Sequence, residues 1–206
     1  MAKISFSEEE KALMKSAVRS GHSSWSDNIL EQIKRRIKDY HLLRQRNCCC
    51  YCSRNLYGEF RMVIDIEHIY PKSKLVNHMF TQKNLSASCK RCNMYIKKDS
   101  VKFINCNDFT NVKKKYLSRN YKIVHPNLDI YKKHIKYIYK QEDRNVIIKY
   151  SILNNSSKGQ YTYDFFRLNE LELNSFDEAQ GASSREEINN EHIFSEFKNL
   201  KNIYGS

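Results

Sequence analysis

The chain has 206 residues, enough for one decorated domain or two small lobes and too few for a multidomain machine. Its hydrophobic content of 40% suits a soluble protein with a real core, and its 2 prolines and 5 glycines argue against long flexible linkers. The formal net charge of +13 attracts polyanions, of which nucleic acid is the commonest in the cytosol, the bland alternative being a merely basic soluble protein.

No stretch is apolar for long enough to suggest a signal peptide or a membrane span, so the expected setting is cytoplasmic, with no membrane partner. Seven cysteines in such a setting point to metal binding or redox chemistry and not to disulfides.

Residues 7–20 read as a first helix, opened by Ser7 and Glu10 in capping-box spacing. Ser26 or Asp27 can cap a second, in which Ile29, Ile33, Ile37, Tyr40 and Leu42 or Leu43 recur at helical spacing opposite a basic face of Lys34, Arg35, Arg36 and Lys38. Phe60 to Ile66 has strand composition and runs into Glu67-His68. Leu85 to Ser88 can pair back on it, and Asn93 to Ile104 suits a helix. Further on, 129–141 reads as helical, 146–153 and 160–166 as strands, and a final helix carries Ile188, Ile193, Phe197 and Leu200 on one face.

Two C-x-x-C pairs stand out: Cys49 with Cys52, and Cys89 with Cys92. Each tight turn lets two thiolates reach one ion, so the four together predict a closed tetrahedral structural zinc site. Thirty-six residues lie between the pairs, more than in a simple zinc ribbon. The run Cys48-Cys49-Cys50 leaves the first ligand open, although the spacing selects Cys49. Between the pairs lie Glu67-His68 and Asn84, and Asn93 follows the last cysteine. A histidine that can take a proton near neutral pH, beside oxygen donors for a hard cation, is the equipment of phosphodiester hydrolysis.

Taken together, Cys-x-Tyr-Cys, Asp-Ile-Glu-His-Ile-Tyr-Pro-Lys-Ser, Lys-Asn-Leu and Cys-Lys-Arg-Cys-Asn, spread over residues 48–99, closely resemble the HNH endonucleases. The resemblance implies an α+β protein: a zinc-braced, treble-clef-like ββα-metal core over 47–105, helices over 1–46, and a mixed, mainly helical accessory region over 106–206. It implies that His68 is the general base, that Asn84 holds that histidine in place, and that Glu67 and Asn93 hold one Mg²⁺ or Mn²⁺. Lys97, or Lys98 in its stead, falls near a basic residue of the family that contacts phosphate, but the gap from Asn93 is one residue longer than usual. Lys72, Lys74, Lys90 and Arg91 are further candidates for DNA phosphate contacts. The segments His125-Pro126-Asn127-Leu128-Asp129 and Lys158-Gly159-Gln160-Tyr161-Thr162 are similar to ones in HNH proteins of bacterial anti-phage defence, Septu-type and retron-associated, some of which work with an ATPase partner. The rival reading is a zinc-dependent nucleic-acid-binding module without catalysis.

Overall fold

The first helix forms because the chain supplies a cap as well as an apolar stripe, and the second on its apolar stripe alone. In the computed structural model, which describes residues 4–106 and 109–175, α1 spans Glu8–Ser20. The Ser7 hydroxyl accepts from the Glu10 backbone N–H at 3.1 Å, and the Glu10 carboxylate accepts from the Ser7 N–H at 2.8 Å. Such a cap stabilises a helix by about 1 kcal/mol. Gly21, at φ 95°, ends α1 in a conformation other residues resist.

Two short 3₁₀ turns, His22–Ser26 and Asn28–Leu30, then lead into α2, Glu31–Arg44. Neither Ser26 nor Asp27 caps it through a side chain. Its buried line is Leu30, Ile33, Ile37 and His41, while the expected Ile29 and Leu43 face outward. The centre of the stripe, Ile33 and Ile37, is as read in the sequence, and only its ends differ, with Leu30 in place of Ile29 and His41 in place of Tyr40. Leu30, Ile33 and Ile37 join Ala17 of α1 with Met79 and Leu85 in one cluster, edged by Trp25 and Ile66. Burying each of the larger side chains contributes roughly 1.5–3 kcal/mol, which fixes both helices against the central hairpin.

That hairpin pairs β1, Ile64–His68, with β2, Leu85–Cys89, in antiparallel register from Ile64 opposite Cys89 to His68 opposite Leu85. The β1 strand starts later than the composition suggests because Arg61–Val63 forms a 3₁₀ turn. The Gln45 side chain bonds along β2, donating to the Ala87 carbonyl and accepting from the Ala87 N–H and the Ser86 hydroxyl. A wide-turn helix, Arg91–Lys97, follows β2. It stops well short of Ile104 because Lys98 turns to φ 52° and its N–H bonds the Asn93 carbonyl five residues back.

The later part differs more from expectation. Residues expected to be helical form a single turn, Tyr131–Lys133, and then β3, Ile135–Glu142, where alternating Ile135, Tyr137 and Tyr139 favour a pleated strand. The β4 strand, Asn145–Ile152, is as expected. The expected strand over 160–166 is α3, Ser157–Phe165, capped by the Ser156 hydroxyl accepting from the Gly159 N–H at 2.9 Å. Gly159, Thr162 and Phe166 are buried at three- and four-residue spacing, the period of a helix. A side chain at Gly159 would place its Cβ 2.6 Å from the His134 carbonyl oxygen.

The chain divides into two units. The first, 1–137 with 150–171, holds the helices, the central hairpin and the cysteines. Among the described residues the second comprises 138–149 and 172–175, and within it Ile147 and Ile148 of β4 pair with Asn174 and Leu173 of the short strand β5, Leu173–Asn174. The expected final helix lies outside the described residues. Among the described residues, no helix is long and apolar enough to cross a membrane.

His41, His68 and His125 are buried, and burial lowers the pKa of each to about 3. The unfolded chain takes up these protons near pH 6.5, while the folded one does not until far below. Stability should therefore fall as pH drops from 6.5 towards 3, with no contribution above that window. The Nδ1 of His41 has no partner. His41→Leu should raise stability and flatten the acid limb by up to about 1.4 kcal/mol per pH unit, measured by denaturant titration across pH.

Candidate active site and metal centre

The four cysteines meet where β2 ends. The turn from Cys49 to Cys52 is closed by the Ser53 N–H on the Cys49 carbonyl at 3.0 Å, and the Cys50 N–H ties it to the Ala87 carbonyl of β2 at 3.1 Å. Cys89 closes β2, and Cys92 lies in the wide-turn helix. All four sulfurs lie within 4.8 Å of one another and all are buried. A tetrahedral ion with bonds of about 2.3 Å sets sulfurs about 3.8 Å apart, and Cys52 and Cys89 stand at 3.9 Å. The set can hold a zinc ion. It takes Cys49 as the first ligand and leaves Cys48, Cys50 and Cys106 outside it. Burial pushes the Cys49 thiol up, but sulfur contacts from Cys50, Cys52, Cys89 and Cys92 outweigh it and hold the thiol well below its ordinary value. The Cys89 N–H also points at the Cys49 sulfur, 3.4 Å away.

The end of β1 carries His68. Its Nε2 lies 3.0 Å from the Met79 carbonyl, which can only accept, so Nε2 carries the proton and Nδ1 keeps its lone pair. The Trp25 ring meets the imidazole edge-on at 4.5 Å. Burial, then the positive charges of Lys72 and Lys97, keep the ring neutral. Asn84 does not touch the imidazole. It accepts from the Tyr70 N–H at 2.8 Å and donates to the carbonyls of Tyr70 and His78, so it clamps the loop that returns Met79 to the histidine. Asn127, beyond the expected core, donates in turn to the carbonyls of Lys83 and Leu85 on either side of Asn84, at 2.9 and 2.7 Å, and is itself bonded by Arg44 of α2.

Glu67 is not at an open strand end. It is fully buried, and one oxygen accepts from the Tyr51 hydroxyl at 2.9 Å and pairs with the Lys97 ammonium at 2.8 Å. Its other oxygen, Oε2, has no partner. Burial raises its pKa, opposed by Lys97 and Tyr51. Asn93 donates through Nδ2 to Asp65 at 3.1 Å, which leaves its side-chain oxygen free. Asp65 also pairs with Lys90 at 3.2 Å.

A cleft of about 940 Å³ opens over this region. His68, Asp65 and Asn93 line it, together with Lys72 and Lys98 and with Lys34, Arg35 and Lys38 from the basic face of α2. Two of the expected phosphate contacts are corrected. Lys97 is 1% exposed, and its ammonium is committed to Glu67 and to the His68 carbonyl at 2.9 Å. Arg91 bonds the carbonyls of Phe166 and Arg167 and the Glu170 carboxylate, so its guanidinium is bound within the chain. Lys74 is exposed but does not line the cleft. Sequence reasoning missed Trp25, Tyr51 and Asn127. Tyr51 and Asn127 each lay inside a motif that the sequence singled out, Cys-x-Tyr-Cys and 125–129, but neither was given a role, and Trp25 carried no local signal.

No family model matches the chain. It is 27% identical over 164 residues to the Septu protein PtuB of Bacillus thuringiensis, a match covering 80% of this chain and 50% of that protein, so the chain spans about half the length of this curated relative.

Two outcomes are expected here. Purified protein should carry one zinc per chain, and a strong chelator or Cys92→Ser should unfold it, while Cys48→Ser should keep both the metal and the fold, as read by elemental analysis and circular dichroism. Lys97→Met should cost about 3–5 kcal/mol by leaving a buried carboxylate unpaired, with Glu67→Gln/Lys97→Met recovering much of it, measured by chemical denaturation.

Proposed function

We propose that the protein is a metal-dependent endonuclease of the HNH type acting on duplex DNA. The observation that carries the proposal is His68: a neutral histidine with a free Nδ1, held by Met79 and Trp25 on a cleft walled by cations. A neutral imidazole fixed through one nitrogen is suited to draw a proton from water with the other.

Asn93 and Glu67 are the oxygen donors proposed for a divalent cation. Carboxylate and amide oxygens suit a hard ion such as Mg²⁺ or Mn²⁺, and the Glu67 Oε2 stands without a partner, although Glu67 is fully buried and only Asn93 lines the cleft. Once bound, such an ion offsets negative charge on the scissile phosphate. The remaining roles fall to the chain itself. Asp65 fixes the Asn93 amide with its oxygen outward. Lys97 anchors the His68 carbonyl and answers the Glu67 charge. Asn84 keeps the Met79 loop in register. Lys72, Lys98 and Arg35 bind backbone phosphates on either side of the reacting bond, while Lys34 and Lys38, engaged by Glu31 and by the carbonyls of Arg61 and Ile64, add positive potential to the wall. One site acts on one strand, so a single chain nicks. The closed cysteine set has no open position and belongs to the brace.

The likeness to a Septu protein supports a part in anti-phage defence. Work with an ATPase partner is proposed on the resemblance of residues 125–129 and 158–162 to defence-associated HNH proteins. The rival binding module accounts for charge and cysteines but not for the neutral, oriented His68.

Supercoiled plasmid in Mg²⁺ or Mn²⁺ should be nicked. His68→Ala should slow this about 10²–10⁴-fold while retaining zinc and DNA binding, and EDTA should stop it. Asp65→Asn should keep the fold and raise the Mg²⁺ concentration needed. If His68→Ala nicks as fast as the parent, the catalytic reading fails and the binding module takes its place.

A further inference from the structure

A short segment before β1 presents apolar side chains that nothing in the fold uses. Tyr57, Phe60 and Met62 are 79%, 83% and 81% exposed within six residues. Three large apolar groups this exposed within six residues offer a concentrated apolar surface to a partner.

The segment is also firmly built. The Arg54–Glu59 ion pair at 3.1 Å and the Tyr57 N–H on the Asn55 side chain at 2.9 Å shape its first half. Its second half is pinned to α2: the Lys38 ammonium donates to the carbonyls of Arg61 and Ile64 at 3.0 and 2.7 Å, and Arg61 pairs with Asp39 at 2.6 Å. The backbone is tied down on both sides while the side chains of Phe60 and Met62 project free.

The position of Met62, two residues beyond Phe60, selects the partner. Met62 lines the same cleft as His68, beside Lys34, Arg35 and Lys38 of α2. An apolar tip flanked by cations matches the cross-section of nucleic acid, in which apolar base faces alternate with phosphates. A protein surface complementary to this cleft would have to bring acidic groups to the same place as an apolar socket.

We infer that Phe60 and Met62 form a wedge that enters a base step of duplex DNA lying in the cleft, unstacking it as the backbone is drawn towards His68. The inference rests on the DNA reading of the site. Apolar wedges of this type kink a duplex by partial unstacking, which the added contact offsets. A kink there brings the backbone to a histidine that otherwise sits recessed, with only 8% of its surface exposed.

The test uses the full-length chain carrying His68→Ala, so that DNA stays intact, and duplexes with 2-aminopurine placed at successive positions. Binding should raise the emission several-fold at one or two adjacent steps. Adding Phe60→Ser/Met62→Ser should abolish that rise and weaken binding about tenfold, with an unchanged salt slope because no cation is lost. Phe60→Trp/Met62→Leu should restore both. Melting temperature and zinc content should be the same throughout, since both side chains lie in water. If the parent binds DNA with no rise in emission, or the Ser variant gives the same rise, the wedge is refuted and the nuclease reading stands. If no protein binds DNA, both fall together.

Discussion

Four sulfurs converging at the end of β2 are the point from which the rest of the site hangs. Cys89 fixes where the strand stops, and Cys92 fixes where the wide-turn helix begins, so Asn93 and Lys97 inherit their positions from the cluster. The first knuckle is tied to the same strand by Cys50 on Ala87. Free energies of about 10–16 kcal/mol for a structural zinc site match the whole net stability of about 5–15 kcal/mol expected of a domain. An ion held there would therefore govern the whole fold and not one corner of it. Four buried thiols brought together without it would oppose the geometry that places Asn93 on the cleft.

The second constraint is the enclosed Glu67–Lys97 pair. Removing two charges from water costs several kcal/mol per ion, and attraction at 2.8 Å makes this good only with further hydrogen bonds. Tyr51 supplies one to the carboxylate, and the His68 carbonyl accepts one from the ammonium. An apolar pair of the same size would hold the core at least as well. What it could not do is tie the last residue of β1 to the helix that carries Asn93. The pair joins the two halves of the site and sets their register.

Much of this was legible in sequence wherever the chemistry is local. Two C-x-x-C turns, a capping box at Ser7 and a Glu-His at a strand end are each fixed by neighbours a few residues away. Failures cluster where a distant segment decides. Arg91 looks like a free phosphate ligand, yet residues 166–170 capture it from more than seventy positions away. Lys97 looks exposed when Asn93 is followed by an ordinary helical turn, but the extra residue is absorbed as a wide turn and the side chain swings inward. The Lys- and Tyr-rich run of 135–142 satisfies both periods, and its pairing within the β3–β4–β5 sheet, not its own propensity, resolves it as a strand. Conversely, 160–166 alternates well enough for a strand, but Ser156 and Gly159 supply a helix start.

The bond from Asn127 to the carbonyls flanking Asn84 bears on how such a site can be inherited. The cysteine pairs, Glu67-His68, Asn84 and Asn93 all fall before residue 100, which invites the picture of a self-contained cassette. The Asn127 side chain contradicts it, because the loop that orients the histidine is fastened by a residue from outside the cassette. A transplant of the marked residues alone would carry the reagents without the fixture that aligns them. In this chain the alignment of the histidine loop is thus a property of residues 78–85 and Asn127 together, not of the first hundred residues alone.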